Sequence, residues 1–149
     1  YERRATMGGW DEEVWYALFQ VAVLTERIGD PPERINATYL RAFQGRPSRA
    51  EPLVELARFH RLRGEHSQAY LYAKHASEMA RPTDRLFVDE ASYTWRALDE
   101  VAISAFYVGT PEARAIGRAA ANRLLIERIE TIPAADRDRI RLNATFYGT

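Results

Sequence analysis

The sequence predicts an all-α fold built from antiparallel helix hairpins, and three observations carry that prediction. The segment WYALFQVAVLTERIGDP, residues 15–31, returns as WRALDEVAISAFYVGTP, residues 95–111, at a constant offset of eighty residues. Its shared apolar positions fall at helical spacing. Each copy ends on Gly-x-Pro, the punctuation that stops one helix and starts the next.

Across residues 15–34 and 95–114 eight positions are identical: Trp15/Trp95, Ala17/Ala97, Leu18/Leu98, Val21/Val101, Ala22/Ala102, Gly29/Gly109, Pro31/Pro111 and Arg34/Arg114. Composition alone would give roughly one or two. Trp15, Leu18 and Ala22, like Trp95, Leu98 and Ala102, stand at i, i+3, i+7 on one helix face. Gly29 and Gly109 close those helices, and Asp30-Pro31 and Thr110-Pro111 open the next as N-cap plus first-turn proline. Between them, SRAEPLVELARFHRLRGEHSQAYLYAKHASEMARP supplies a third copy. Leu53, Leu56, Ala57 and His60 repeat the face, Gly64 closes the helix, and Ala69, Tyr72, Ala73 and Ala76 line the following one. Ser48-x-x-Glu51 predicts a capping box, with Pro52 tolerated in the first turn.

Residues 1–149 therefore read as one domain: repeats at 11–47, 48–81 and 92–131, a linker at 82–91, and a capping helix at 133–149. Ile140 and Ala144 share one face of that last helix, which covers the preceding core and turns a polar side to water. Residues 1–7 read as the tail of a preceding repeat's second helix, because Tyr1 stands fourteen residues before Trp15 as Tyr39 does before Leu53. The start at Tyr1 rather than Met also predicts a piece of a longer protein.

A chain of 149 residues with 46% hydrophobic and 28% charged residues has the composition of a globular domain able to bury a core. Lys+Arg and Asp+Glu balance at 21 each, which provides no field for nucleic acid or anionic lipid. Lys74 is the only lysine, so arginine carries the positive charge. With no cysteine, disulfides, thiolate metal sites and cysteine nucleophiles are excluded, and a cytoplasmic address fits. No apolar run approaches a membrane span, and no signal peptide is visible.

Residues 50–76 resemble a tetratricopeptide repeat, whose paired helices recur about every 34 residues. Leu53, Leu56, Gly64, Ala69 and Ala76 stand where that pattern wants a large residue, Leu, the turn Gly and two small residues. Trp15, Leu18, Tyr39, Ala42 and Pro47 match in the first copy. The resemblance implies a right-handed superhelix. The first and third copies are three residues longer between large residue and glycine, and Phe19 and Asp99 replace the usual small residue. A spacing of about forty residues between first helices keeps HEAT-like repeats as the alternative.

The run GGWDEEVWYALFQVAVLTERIGDP, with AYLYAKHA and LFVDEASYTWRALDE, is similar to helical-repeat regions beside family 2 glycosyltransferase domains of bacterial proteins. That resemblance implies a parent protein handling surface polysaccharide or glycoconjugate and gives this chain no catalytic residues; the repeats and the missing catalytic constellation predict a non-catalytic scaffold with no cofactor.

The residues themselves offer little catalytic chemistry. Asp136-Arg137-Asp138 has the letters of an Asp-x-Asp metal motif but opens a charged helix, where carboxylates favour the N-terminus. His60, His66 and His75 have no i, i+4 pairing and no cysteine to complete a zinc site, and His60 reads as a hydrogen-bonded core residue. Asp89-Glu90 and Asp99-Glu100 are adjacent pairs that do not face each other on a helix, so they read as solvated or inter-repeat charges. Trp15 and Trp95 read as core rather than as a sugar-stacking pair.

In tetratricopeptide arrays the first helix of each pair lines a concave groove, and the corresponding positions here are Tyr16, Gln20, Val54, Arg58, Arg96 and Glu100. Arg61, one turn past Arg58, extends that wall. Arg58, Arg61 and Arg96 are expected either to clamp an acidic group of a protein or peptide partner or to pair with Glu55 and Glu100. Two other classes stay open: glycan binding through Tyr16, Tyr70 and Tyr93, and self-association.

Overall fold

Three glycines with nearly the same backbone set the rhythm of the fold. Gly29, Gly64 and Gly109 have φ of +77°, +75° and +78°, a left-handed conformation that a Cβ disfavours. Each ends a helix so that the chain can reverse within a few residues. The computed structural model describes residues 8–148, and the expectation for residues 1–7 lies outside them. Helices α1 (Gly8–Arg27) and α2 (Pro32–Gly45) form the first hairpin, and α3 (Glu51–Leu62) and α4 (His66–Ser77) the second. A π turn at Ser92–Arg96 leads into α5 (Ala97–Val108), which turns back into α6 (Pro111–Arg123). Helix α6 continues through a second π turn, Leu124–Arg128, and a 3-10 turn, Ile129–Thr131, before α7 (Ala134–Thr145). Among the described residues there is no strand, and the seven helices pack together.

Each helix packs on the next in the chain, and the alternate pairs α3–α5 and α5–α7 also meet. Burial follows the apolar face of each repeat. Trp15, Ala22, Leu53, Leu56, Ala57, Leu98 and Ala102 are buried, with Trp15 left only 1% exposed. On α4, Ala69, Ala73 and Ala76 are buried; their small side chains allow close helix approach. Ile140 and Ala144 of α7 share a core cluster with Val101, Ala102, Leu124 and Tyr147. Gly117 permits a still closer contact: a Cβ there would lie 2.1 Å from the Tyr147 hydroxyl, which donates to the Ala102 carbonyl. Burial pushes that phenol up to about 12.

Three local expectations are corrected. The N-cap of α2 is Pro31 rather than Asp30, with Pro32 in the first turn; Asp30 pairs with Arg34 at 3.2 Å instead. No capping box forms at α3, whose N-cap is Ala50 without a side-chain cap. Glu51 is taken by stronger, charge-assisted bonds from Arg49 at 2.8 and 3.1 Å. Trp95 is only partly buried, although it packs against the core. It lies inside the π turn, whose extra residue rotates it away from the phase that buries Trp15. Thr110 does cap α6, accepting from the Ala113 amide at 3.1 Å.

Candidate functional site

The arginines expected to line a groove come together, and they come together with carboxylates. Arg58 on α3 donates to both oxygens of Glu26 on α1, at 2.6 and 2.7 Å, and to Glu55 at 2.9 Å. Glu55 also accepts from Arg96 at 2.5 Å, and Arg96 reaches Asp89 at 3.0 Å. Arg61 on α3 forks onto Glu100 on α5 at 2.7 and 3.1 Å. Tyr39 donates to Glu26 at 2.6 Å, and burial together with that carboxylate drives its phenol far above the usual range. Desolvation raises the Glu100 carboxyl, with Arg61 pulling the other way. These pairs form a ladder across α1, α3 and α5, the first helices of the three hairpins. Of the two expected roles for Arg58, Arg61 and Arg96, the pairing with Glu55 and Glu100 is the one the geometry displays.

The remaining groove positions diverge. Val54 is fully buried beside Ala50, Leu53, Ala76 and Ala97, so its groove-facing assignment is corrected: the α3 face it occupies packs on α4 and α5. Gln20 is half-buried. Tyr16 is half-buried and stacks on Phe87 with ring centroids 3.9 Å apart. Tyr93 donates its hydroxyl to Glu51 at 2.6 Å, and Tyr70 packs against the core. The three tyrosines considered for glycan stacking are thus engaged with the protein itself.

Sequence reasoning missed the densest polar centre. Arg49 is fully buried, with its guanidinium 3.8 Å from the Trp15 ring centroid. Besides Glu51 it donates to Asp84 at 3.1 Å, to the Leu86 carbonyl at 3.1 Å and to the Phe87 carbonyl at 2.7 Å. Arg46 forks onto Asp84 at 2.6 and 2.7 Å, and these two arginines hold the Asp84 carboxyl below its ordinary range. Glu12 accepts from the Arg85 and Leu86 amides at 2.6 and 2.9 Å. The segment expected to be a linker is therefore sewn to α1 and to the α2–α3 junction. Its sequence signal was the charged TDR next to an apolar LFV, which reads equally well as a solvated loop.

His60 behaves as expected of a core histidine, 8% exposed and within hydrogen-bond distance of Asn36 at 2.8 Å and Glu65 at 3.1 Å. Asp99 takes Arg139 of α7 at 2.9 and 3.2 Å, an inter-repeat charge as anticipated. Asp136 and Asp138 lie in the opening turns of α7. Among the described residues no cluster of three or more His, Asp or Glu could hold a metal ion. No described helix is long and apolar enough to cross a membrane.

One apolar surface has no cover among the described residues. Val14, Ala17, Val21 and Leu24 of α1 and Ile28 in the turn just after it follow a 3-4-3-4 spacing, and all are exposed. Their counterparts eighty residues on are Thr94, Ala97, Val101, Ser104 and Val108, and the middle three are buried. Val21 is 53% exposed where its identical partner Val101 is 1% exposed. Helix α4 makes the difference: Ala97 shares a core cluster with its Ala76, and Val101 with its Ala73.

No family model, curated protein or solved structure matches this chain.

Proposed function

We propose that this chain is a non-catalytic interaction module of the tetratricopeptide-like kind, a right-handed stack of hairpins that receives a helix of a partner protein on the outer face of α1. The observation that carries this reading is the contrast between Val21 and Val101, the same residue at the same place in two copies of one motif, bare in the first and covered in the second. The second copy supplies the chemistry of the occupant. It is an amphipathic helix standing to α1 as α4 stands to α5, presenting small residues spaced like Ala69, Ala73 and Ala76; the second helix of a preceding repeat, expected from residues 1–7, is the competing occupant that the test must separate. An exposed stripe of Val, Leu and Ile at heptad-like spacing is the usual seat for such a helix. The arginine ladder braces the stack that holds α1 in place, since its donors already face Glu26, Glu55 and Glu100. In this reading the partner belongs to a bacterial glycosyltransferase assembly, which the sequence likeness to regions beside family 2 glycosyltransferase domains supports.

Site-specific photo-crosslinking tests the proposal in cells that make the protein. A photoreactive phenylalanine replaces Leu24 in one strain and the exposed Ile126 in another. The expected result is one dominant adduct from position 24, mapped to a helical segment of another protein and lost when Val21→Glu is added. Crosslinks only within the same protein to a segment preceding α1, adducts only to a second copy of this chain, or none beyond those seen from position 126, overturn it. Circular dichroism of Val21→Glu guards against loss of fold.

A further inference from the structure

A cleft of about 770 Å³ opens between the end of α4, the π turn before α5, and α6, on a different surface from the α1 stripe. Its floor is apolar, formed by Leu98, Val101, Ile116 and Ala120. Charged side chains form the rim, and most cancel locally: Lys74 pairs with Glu78 at 2.8 Å and Arg81 with Glu90 at 2.6 Å. Two cations are left over. Arg123 has only Glu127, at 3.5 Å. Arg128 has no hydrogen-bond or ion-pair partner for its guanidinium among the described residues, and its Nε is shut off from solvent. That closure keeps Nε from the cleft as well, so what a ligand can engage is the rest of the Arg128 guanidinium, which lines the cleft.

The backbone explains how both guanidiniums reach one wall. Arg123 and Arg128 are five residues apart, which in an α-helix of 3.6 residues per turn points them about 140° from each other. The intervening segment Leu124–Arg128 is a π turn, and its i→i+5 closure brings the fifth residue back under the first. Across the cleft Tyr93 and Thr94 belong to the other π turn, and the two π turns touch. Such turns account for well under 1% of residues in globular proteins and gather at functional sites.

We infer that this cleft binds a small organic anion, a carboxylate or phosphate monoester with an apolar body, whose charged group is held by Arg128 and Arg123 and whose body lies on Leu98, Val101 and Ile116. Guanidinium binds either anion through paired hydrogen bonds, and the volume falls within the range of small-molecule sites. The acidic side chains of the cleft, Glu78 and Glu90, pair with Lys74 and Arg81 rather than with Arg123 or Arg128. The inference stands apart from the α1 reading and survives its failure.

Amide chemical-shift titration of the intact chain tests it, with phenyl phosphate, phenylacetate and the neutral benzyl alcohol as probes. Saturable shifts at Thr94, Val101 and Ala120 are expected with at least one of the two anions, and the stronger of them identifies the class of anion. Benzyl alcohol should bind at least tenfold more weakly. Arg128→Gln should weaken the anion at least tenfold, while Arg63→Gln, on another surface, should leave it unchanged. Without ligand, Arg128→Gln should melt no lower than the parent, since it removes an unpartnered donor; a purely structural arginine would lower the melting temperature. No saturable shift up to 10 mM of either anion on the order of weak fragment affinity, equal binding of benzyl alcohol, or indifference to Arg128→Gln each overturn the inference.

Discussion

Arg49 touches five partners: Trp15 on α1, Glu51 on α3, and Asp84, Leu86 and Phe87 in the following segment. A fully buried guanidinium is tolerated only when its charge and donors are matched, and here two carboxylates and two carbonyls match them. Asp84 is the member whose loss should be felt most cleanly, since Arg46 and Arg49 both depend on it. Asp84→Asn is expected to destabilise the fold by about 3 kcal/mol at pH 7, the scale for breaking a buried pair, as read by urea unfolding. The pH dependence follows from the lowered carboxyl. A carboxylate with a depressed folded pKa stabilises above its unfolded ionisation, near pH 4, and loses that contribution as pH falls through its folded value. The gap between parent and Asp84→Asn should therefore be full at pH 6 and narrow steadily below pH 4. A gap that stays constant to pH 2 would assign Asp84 no electrostatic role.

Among the elements, α1 and α5 share a motif but not an environment. Gly29 and Gly109 end them with the same backbone, and Trp15 and Leu98 both face the core. Helix α5 is enclosed by α4, α6, α3 and α7, whereas among the described residues α1 packs mainly on α2 and carries an open stripe on its other side. Matched substitutions expose the contrast. Val101→Ala should cost about 2 kcal/mol, from two lost methyl-sized groups and the cavity they leave. Val21→Ala should stay within about 0.5 kcal/mol, as at other exposed sites. Equal effects in chemical denaturation would mean that the α1 face is covered in solution.

For the whole molecule, the hairpin rhythm was legible because it rests on local physics. Glycine at a left-handed turn, proline in a first turn and apolar residues every three or four positions need no knowledge of distant neighbours. The ladder of Arg58, Arg61 and Arg96 was half legible: the residues and carboxylates Glu55 and Glu100 were visible, and Glu26 on a different hairpin was not. The two π turns were hidden, since an extra residue in a helical turn leaves no compositional mark; Trp95 and Arg128 took their positions from it. Arg49 was hidden for the opposite reason. Apart from Glu51 and Trp15, its partners lie about 35 residues on, in a stretch whose charges resemble those of any exposed loop.

One motif occurs twice and, among the described residues, is enclosed in the second copy and open in the first. Native-state hydrogen exchange of the free chain measures this without knowledge of any partner. Local opening takes less free energy where fewer faces are packed, so the slowest amides of residues 14–28 should exchange at least tenfold faster than those of residues 94–108. Equal protection of the two segments, or slower exchange in the first, would contradict the account.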